Sequence, residues 1–202
     1  MKNENVELRF CIFITENFMA GFSYRKNIDG SNQAPVNKNL VGAASVVFSV
    51  GDLIRINNAG QASLVTAGDL VLGVVTSVTT KDGAPVAPDS GTTDTWTMAS
   101  SNVSDATKNL KVHYIPALPN YLFYNDGDAD VTVAKLFMYF PVNDENDVDL
   151  TTGSDTVVDT VRLIEIDPDG DGDASKGLFQ IAESFWAQSG GGTQDTSGIE
   201  AA

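Results

Sequence analysis

The densest run of potential metal ligands in the chain is Asp167-Pro168-Asp169-Gly170-Asp171-Gly172-Asp173. Hard cations such as Ca²⁺ gather roughly six to eight oxygens, and alternating Asp with Gly lets several carboxylates converge in one tight loop. With Asp167 as the first position of an EF-hand loop, Asp169, Asp171 and Gly172 fall on the third, fifth and sixth positions. The twelfth position is Leu178, where a bidentate Glu is required, and the flank from Arg162 reads as strand. A complete EF-hand is therefore excluded. Two readings remain: a partial Ca²⁺ site at Asp167, Asp169, Asp171 and Asp173, or a solvated turn between two elements.

Other chemistry is thinly supplied. The chain has one histidine, His113, and one cysteine, Cys11. A nucleophilic triad would have to be built on His113 alone, and no nucleophile elbow accompanies it. Lying between Val112 and Tyr114 in a strand-like run, His113 reads as a satisfied structural residue. Zinc lacks its usual ligands, and Gly190-Gly191-Gly192 precedes no helical pattern that could cradle a phosphate. The 27 acidic residues offer so many chance pairs that no glycosidase-type carboxylate dyad stands out. The expectation is a non-enzyme whose one candidate cofactor is Ca²⁺.

The aromatics Tyr121, Phe123, Tyr124, Phe137, Tyr139 and Phe140 read as cross-strand packing, with a carbohydrate-binding platform as the sharper alternative. Trp96 stands among small residues and is the expected interface anchor, because tryptophan concentrates at binding hot spots.

Composition limits what must position these residues. A net charge of −15 and a pI near 4.1 oppose a nucleic-acid interface, which needs clustered Lys and Arg, and oppose an anionic membrane surface. The 42% hydrophobic content suits one good-sized core. Polarity comes mostly from turn formers, Asp, Asn, Gly, Ser and Thr, and the runs between them are rich in Val and Thr, so the fold class is mainly β. One cysteine cannot form an internal disulfide. No window approaches the ~20 apolar residues of a membrane helix. The apolar stretch Phe10-Cys11-Ile12-Phe13-Ile14 is too short for a signal-peptide core, so no export signal is expected.

Along the chain, residues 19–45 are rich in Asn, Gly and Ser and read as an extended N-terminal arm. Residues 46–187 read as one compact β-barrel-like or sandwich core. Two Gly-Asp-Leu steps, at Gly51 and Gly68, each enter a β-branched run and suggest successive strands. Residues 81–109 read as mostly loop. Asn125-Asp126-Gly127-Asp128 is a hairpin turn signal between residues 121–124 and 131–140. Residues 177–187 fit either a helical stripe or a buried strand. The tail from residue 188 is expected to be disordered.

Five strings carry a resemblance. They are Gly21-Phe22-Ser23-Tyr24-Arg25-Lys26-Asn27-Ile28-Asp29-Gly30, Val50-Gly51-Asp52-Leu53-Ile54-Arg55-Ile56, Ala67-Gly68-Asp69-Leu70-Val71-Leu72-Gly73-Val74-Val75, Leu118-Pro119-Asn120-Tyr121-Leu122-Phe123 and Arg162-Leu163-Ile164-Glu165-Ile166-Asp167-Pro168. In this order they resemble a family of tailed-phage virion proteins, the capsid decoration or minor structural proteins. Ile115-Pro116-Ala117-Leu118 departs from the acidic pair that members often carry there.

The resemblance implies a non-enzymatic virion component on the capsid surface, made in the host cytoplasm. Its implied partners are the major capsid protein and further copies of itself, with no nucleic acid and no membrane. Phe22, Tyr24 and Arg25, in the arm, join Trp96 as expected contact residues. A tail or head-fibre protein meeting the host is the alternative within virions; a carbohydrate-binding β module with Ca²⁺ is the alternative outside them. The resemblance also implies a natural start at Met19-Ala20-Gly21-Phe22, leaving residues 1–18 as upstream read-through, against a genuine extension that adds an edge strand.

Overall fold

The computed structural model of the chain describes residues 21–31, 34–66, 68–98, 109–154, 159–170 and 172–187. The expectations for residues 1–18, for the tail from 188 and for Asp171 lie outside the described residues. The described strands are β1 Ser23–Asn27, β2 Lys38–Val41, β3 Val47–Ser49, β4 Leu53–Ile56, β5 Ala62–Leu64 and β6 Gly73–Thr79. They continue with β7 Thr95–Thr97, β8 Lys111–Pro116, β9 Tyr121–Asp126, β10 Tyr139–Phe140, β11 Val161–Ile166 and β12 Lys176–Ile181. A short 3₁₀ turn, Val133–Lys135, precedes β10.

The strands form two five-stranded sheets, ordered β1-β9-β12-β11-β10 and β2-β8-β6-β4-β5, and a two-stranded ribbon of β3 and β7. The ladders between these strands are antiparallel. The chain is thus mainly β, with compactly packed antiparallel sheets.

The second sheet serves two cores, because successive strand residues point to opposite faces. Leu53 and Val74 join the cluster that includes Phe123, Leu163 and Phe179 of the first sheet. Their neighbours Ile54 and Val75 join the cluster that includes Phe48 and Trp96 of the ribbon. A register shift between Val75 and Ser77 keeps both Val75 and Val78 on the ribbon side, opposite Tyr114 and Val112.

Both Gly-Asp-Leu steps make the same turn. Asp52 N donates to Ser49 O at 3.2 Å, and Asp52 Oδ2 accepts Ser49 N at 2.6 Å. Seventeen positions along, Asp69 N donates to Thr66 O at 3.0 Å, and Asp69 Oδ2 accepts Thr66 N at 2.8 Å. Each turn places its glycine at positive φ, +96° for Gly51 and +83° for Gly68, where a β-carbon would be strained. The shared unit is Ser/Thr-x-Gly-Asp-Leu.

The expected arm, 19–45, is instead woven into both sheets where it is described, at 21–31 and 34–45. Phe22 is 2% exposed and meets Phe179 edge-on, while β1 pairs with β9 and β2 with β8. The Asn- and Gly-rich stretch is a turn, with Asn27 N bonded to Ser31 O at 3.0 Å and Gly30 N to Asn27 O at 2.8 Å. Buried aromatic surface outweighs the polar composition around it. One register shift falls between Tyr24 and Lys26, leaving Arg25 as a bulge on this edge strand.

The hairpin expected at residues 125–128 is absent among the described residues. Asn125 and Asp126 continue β9 against β12, and residues 131–140 give only the 3₁₀ turn and a two-residue strand. Those residues are apolar without alternation, so no single face selects a long strand. At residues 177–187 the strand reading holds as far as Ile181. Beyond it the chain crosses to the second sheet, with Val71 N bonded to Glu183 O at 2.8 Å and Phe185 N to Val71 O at 2.9 Å.

Candidate functional site

The acidic turn joins β11 to β12, where the antiparallel ladder must reverse between Ile166 and Gly177. Asp167 sits at φ +47° and closes the turn, its carbonyl accepting Gly170 N at 3.0 Å and its Oδ2 accepting Gly172 N at 2.9 Å. Asp173 Oδ1 accepts Ser175 Oγ at 2.6 Å and Ser175 N at 3.1 Å. These hydrogen bonds hold its carboxyl below the usual carboxylate range. Its Oδ2 lies 3.5 Å from Lys176 Nζ.

Asp169 turns the other way. Its two oxygens accept Arg25 Nη2 at 2.9 and 3.2 Å. The metal-ligand candidate and the interface candidate are therefore one ion pair. The Arg25 guanidinium also stands 5.2 Å from the centre of the Tyr124 ring. Beside it, Lys26 Nζ meets Glu165 Oε2 at 2.9 Å. Three carboxylates of the run thus serve three separate donor sets. Among the described residues no three His, Cys, Asp or Glu side chains gather as a metal-holding group.

The other expected contact residues divide. Tyr24 is half-buried, 5.0 Å from Tyr121 and 6.2 Å from Phe123 by ring centres, with its hydroxyl 3.2 Å from Asn27 Oδ1. Phe22 belongs to the core. Trp96 is on β7, 7% exposed, and donates Nε1–H to Val86 O at 3.0 Å. It caps the second core and is not a surface anchor. The small residues around it permitted either role, and the partner of its indole N–H decided the matter. His113 Nε2 lies 2.8 Å from Thr79 Oγ1 across the β6–β8 pair, and burial lowers its pKa.

A second polar centre lies where the first sheet's loops cross β4. Asp52 is 2% exposed, and burial pushes its carboxyl up to about 7. The Ser49 N–H opposes that rise, while Glu145 and Asp144 add to it. Leu53 N donates to Glu145 O, and Asn146 O accepts Asn125 Nδ2 at 2.8 Å. Among the described residues Asn125 Oδ1, fully buried, has no hydrogen-bond partner. Sequence reasoning found the Gly-Asp-Leu turn but not this burial, which depends on a loop about 90 residues away.

The fold defines the class as far as it goes: a mainly β protein of antiparallel sheets in compact packing. Comparison with protein-family models, with curated proteins and with solved structures finds no match.

Proposed function

We propose that the chain is a virion structural protein that binds the outside of a tailed-phage capsid and stabilises the shell, without enzymatic activity. The observation that carries this reading is where the resembling strings lie. They supply Phe22, Leu53, Val71, Val74, Tyr121, Phe123 and Leu163 to one core cluster and Ile54, Leu72 and Val75 to the other. The resemblance follows the packing of the fold and not a scatter of surface turns.

The acidity supports the same reading, since a −15 chain is a complement for a basic protein surface. In this proposal, copies bind at symmetry-related sites and bury area across neighbouring shell subunits, so that separating the subunits also breaks those contacts. Ca²⁺ is not needed for it. Quantitative mass spectrometry of purified particles tests the proposal. A copy number equal to the major capsid protein, or a simple fraction of it, supports decoration. A handful of copies assigns the chain to the tail, and absence from particles overturns the reading.

A further inference from the structure

Asp52 lies under a loop whose feet are apolar and whose tip is not. The feet, Val142 and Val148, bridge each other and are buried in the core that also holds Leu53. Between them stand Asn143, Asp144, Glu145, Asn146 and Asp147, with Asn143 N donating to Asp147 O at 2.9 Å. Burial fixes the feet, while polar contacts seat the tip. Glu145 O accepts Leu53 N, Asn146 Nδ2 lies 3.5 Å from Asp52 Oδ1, and Asn146 O accepts Asn125 Nδ2 at 2.8 Å. The tip thereby joins β4 of one sheet to β9 of the other.

This closed position is disfavoured in two ways. Among the described residues Asn125 Oδ1 has no hydrogen-bond partner, and a buried acceptor left unpaired destabilises the state that buries it. The second is charge. Asp52 is 2% exposed, and the charges that act on it are Glu145 and Asp144, both anions of the tip. The other elements around it bring backbone: Ser49 N donates to Asp52 Oδ2, Val75 N to Asp52 O, Phe22 N to Gly51 O and Val50 N to Asp94 O. An ionised Asp52 would be a third negative charge beside two others, shielded from water.

Withdrawing the tip relieves both. It separates the three carboxylates and lets water reach Asp52 and Asn125. It breaks a few polar contacts, and the tip carries no apolar side chain to expose, so the motion is a local opening on fixed feet.

We infer that Asp144-Glu145-Asn146 is a pH-sensitive latch between the two sheets, closed on β4 while Asp52 is neutral and released when Asp52 ionises. The latch goes beyond the capsid reading and does not depend on it. Its direction follows from linkage. In the closed state the Asp52 carboxyl, pushed up to about 7, holds a proton that the hydrated carboxyl of the open state has released. The open population therefore grows as pH rises from about 4 and levels off above about 7. One other loop carboxyl must be told apart from it: burial raises Asp147, the Asn143 amide opposes the rise, and Asp128 and Asp144 add to it.

Hydrogen exchange of the full chain, read by NMR between pH 5 and 8, tests the latch at two amides. Leu53 N–H is bonded to the tip and Val75 N–H to Asp52 O. Corrected for the intrinsic rate, protection at Leu53 falls at least tenfold across this range, and at pH 7 it is at least tenfold below that at Val75. Low urea leaves Leu53 exchange unchanged, because a local opening exposes little surface, while Val75 exchange quickens. Protection at Leu53 that is equal at pH 5 and 8 overturns the latch. So does a urea response as steep as that of Val75, which would make the opening global unfolding. Asp52→Asn abolishes the fall with pH; a fall that persists in it belongs to Asp147 and overturns Asp52 as the trigger. If Asp52→Asn fails to fold, Glu145→Gln decides: it keeps the backbone contact to Leu53, removes one facing charge and makes the fall smaller, and an unchanged fall overturns the inference.

Discussion

Arg25 and Asp169 are 144 residues apart in sequence and 2.9 Å apart in space, so the first strand is tied to the turn before the last. Both side chains are substantially exposed, at 47% and 39%. Exposed pairs contribute little, about 0.2–1 kcal/mol, because water screens them and two long side chains lose freedom. A double-mutant cycle of Arg25→Ala and Asp169→Ala in urea should return a coupling in that range, smaller again in 0.5 M NaCl. A coupling several times larger would mean that the Tyr124 contact and the ion pair act as one unit.

The same geometry predicts the calcium response. Asp167, Asp169 and Asp173 each already accept hydrogen bonds from protein donors, and a cation would compete with those donors for the carboxylates. Calorimetry with 1 mM CaCl₂ against EDTA should move Tm by less than about 1 °C, since a ligand stabilises only as it binds the native state. A rise of several degrees that Asp169→Asn and Asp173→Asn both remove would establish the acidic turn as a Ca²⁺ site.

Asp52 sets a pH dependence with an unusual direction for a carboxylate. Its folded pKa is raised to about 7 from 3.8, so the native state holds the proton that the unfolded chain has released. Its favourable contribution is therefore complete below pH about 4 and is lost as pH rises towards 7 and beyond, on the order of 2–4 kcal/mol. Asp52→Asn keeps an acceptor for Ser49 N and cannot ionise. Chemical denaturation from pH 5 to 8.5 should show wild type losing stability while the variant loses less, the two curves diverging as pH rises. Parallel curves would show that Asp52 does not carry the dependence.

Phe22→Ala separates an arm from a strand. Phe22 is 2% exposed against Phe179, and emptying such a site costs about 3–5 kcal/mol. Equilibrium urea denaturation should place the variant's midpoint far below wild type, whereas an arm lying on a neighbour would leave it unchanged.

How far the sequence revealed this architecture depended on whether a signal was local. Asn57-Asn58-Ala59-Gly60 is turn chemistry by residue type alone, and Asn57 Oδ1 accepts Ala59 N and Gln61 N within its own loop. The Gly-Asp-Leu steps were legible for the same reason, though their first residue, Ser49 or Thr66, was overlooked. Trp96, Phe22 and Asp52 were not. Each is decided by residues distant in sequence or by a single carbonyl, Val86 O in the case of Trp96. Phe137 reads from sequence as cross-strand packing, and nothing in the apolar run around it announces its φ of +67°.

The bulge at Arg25 has a consequence for how this protein behaves in crowded solution. Among the described residues β1 is an outer strand of its sheet, and a regular outer strand is a template onto which another chain can add. The shifted register interrupts that template after Tyr24, and Arg25 and Lys26 place two charges along the broken row. A stray strand would meet misaligned donors and two cations already committed to Asp169 and Glu165. The edge is thereby protected against amyloid-like stacking, and contacts between folded molecules are left to their side chains.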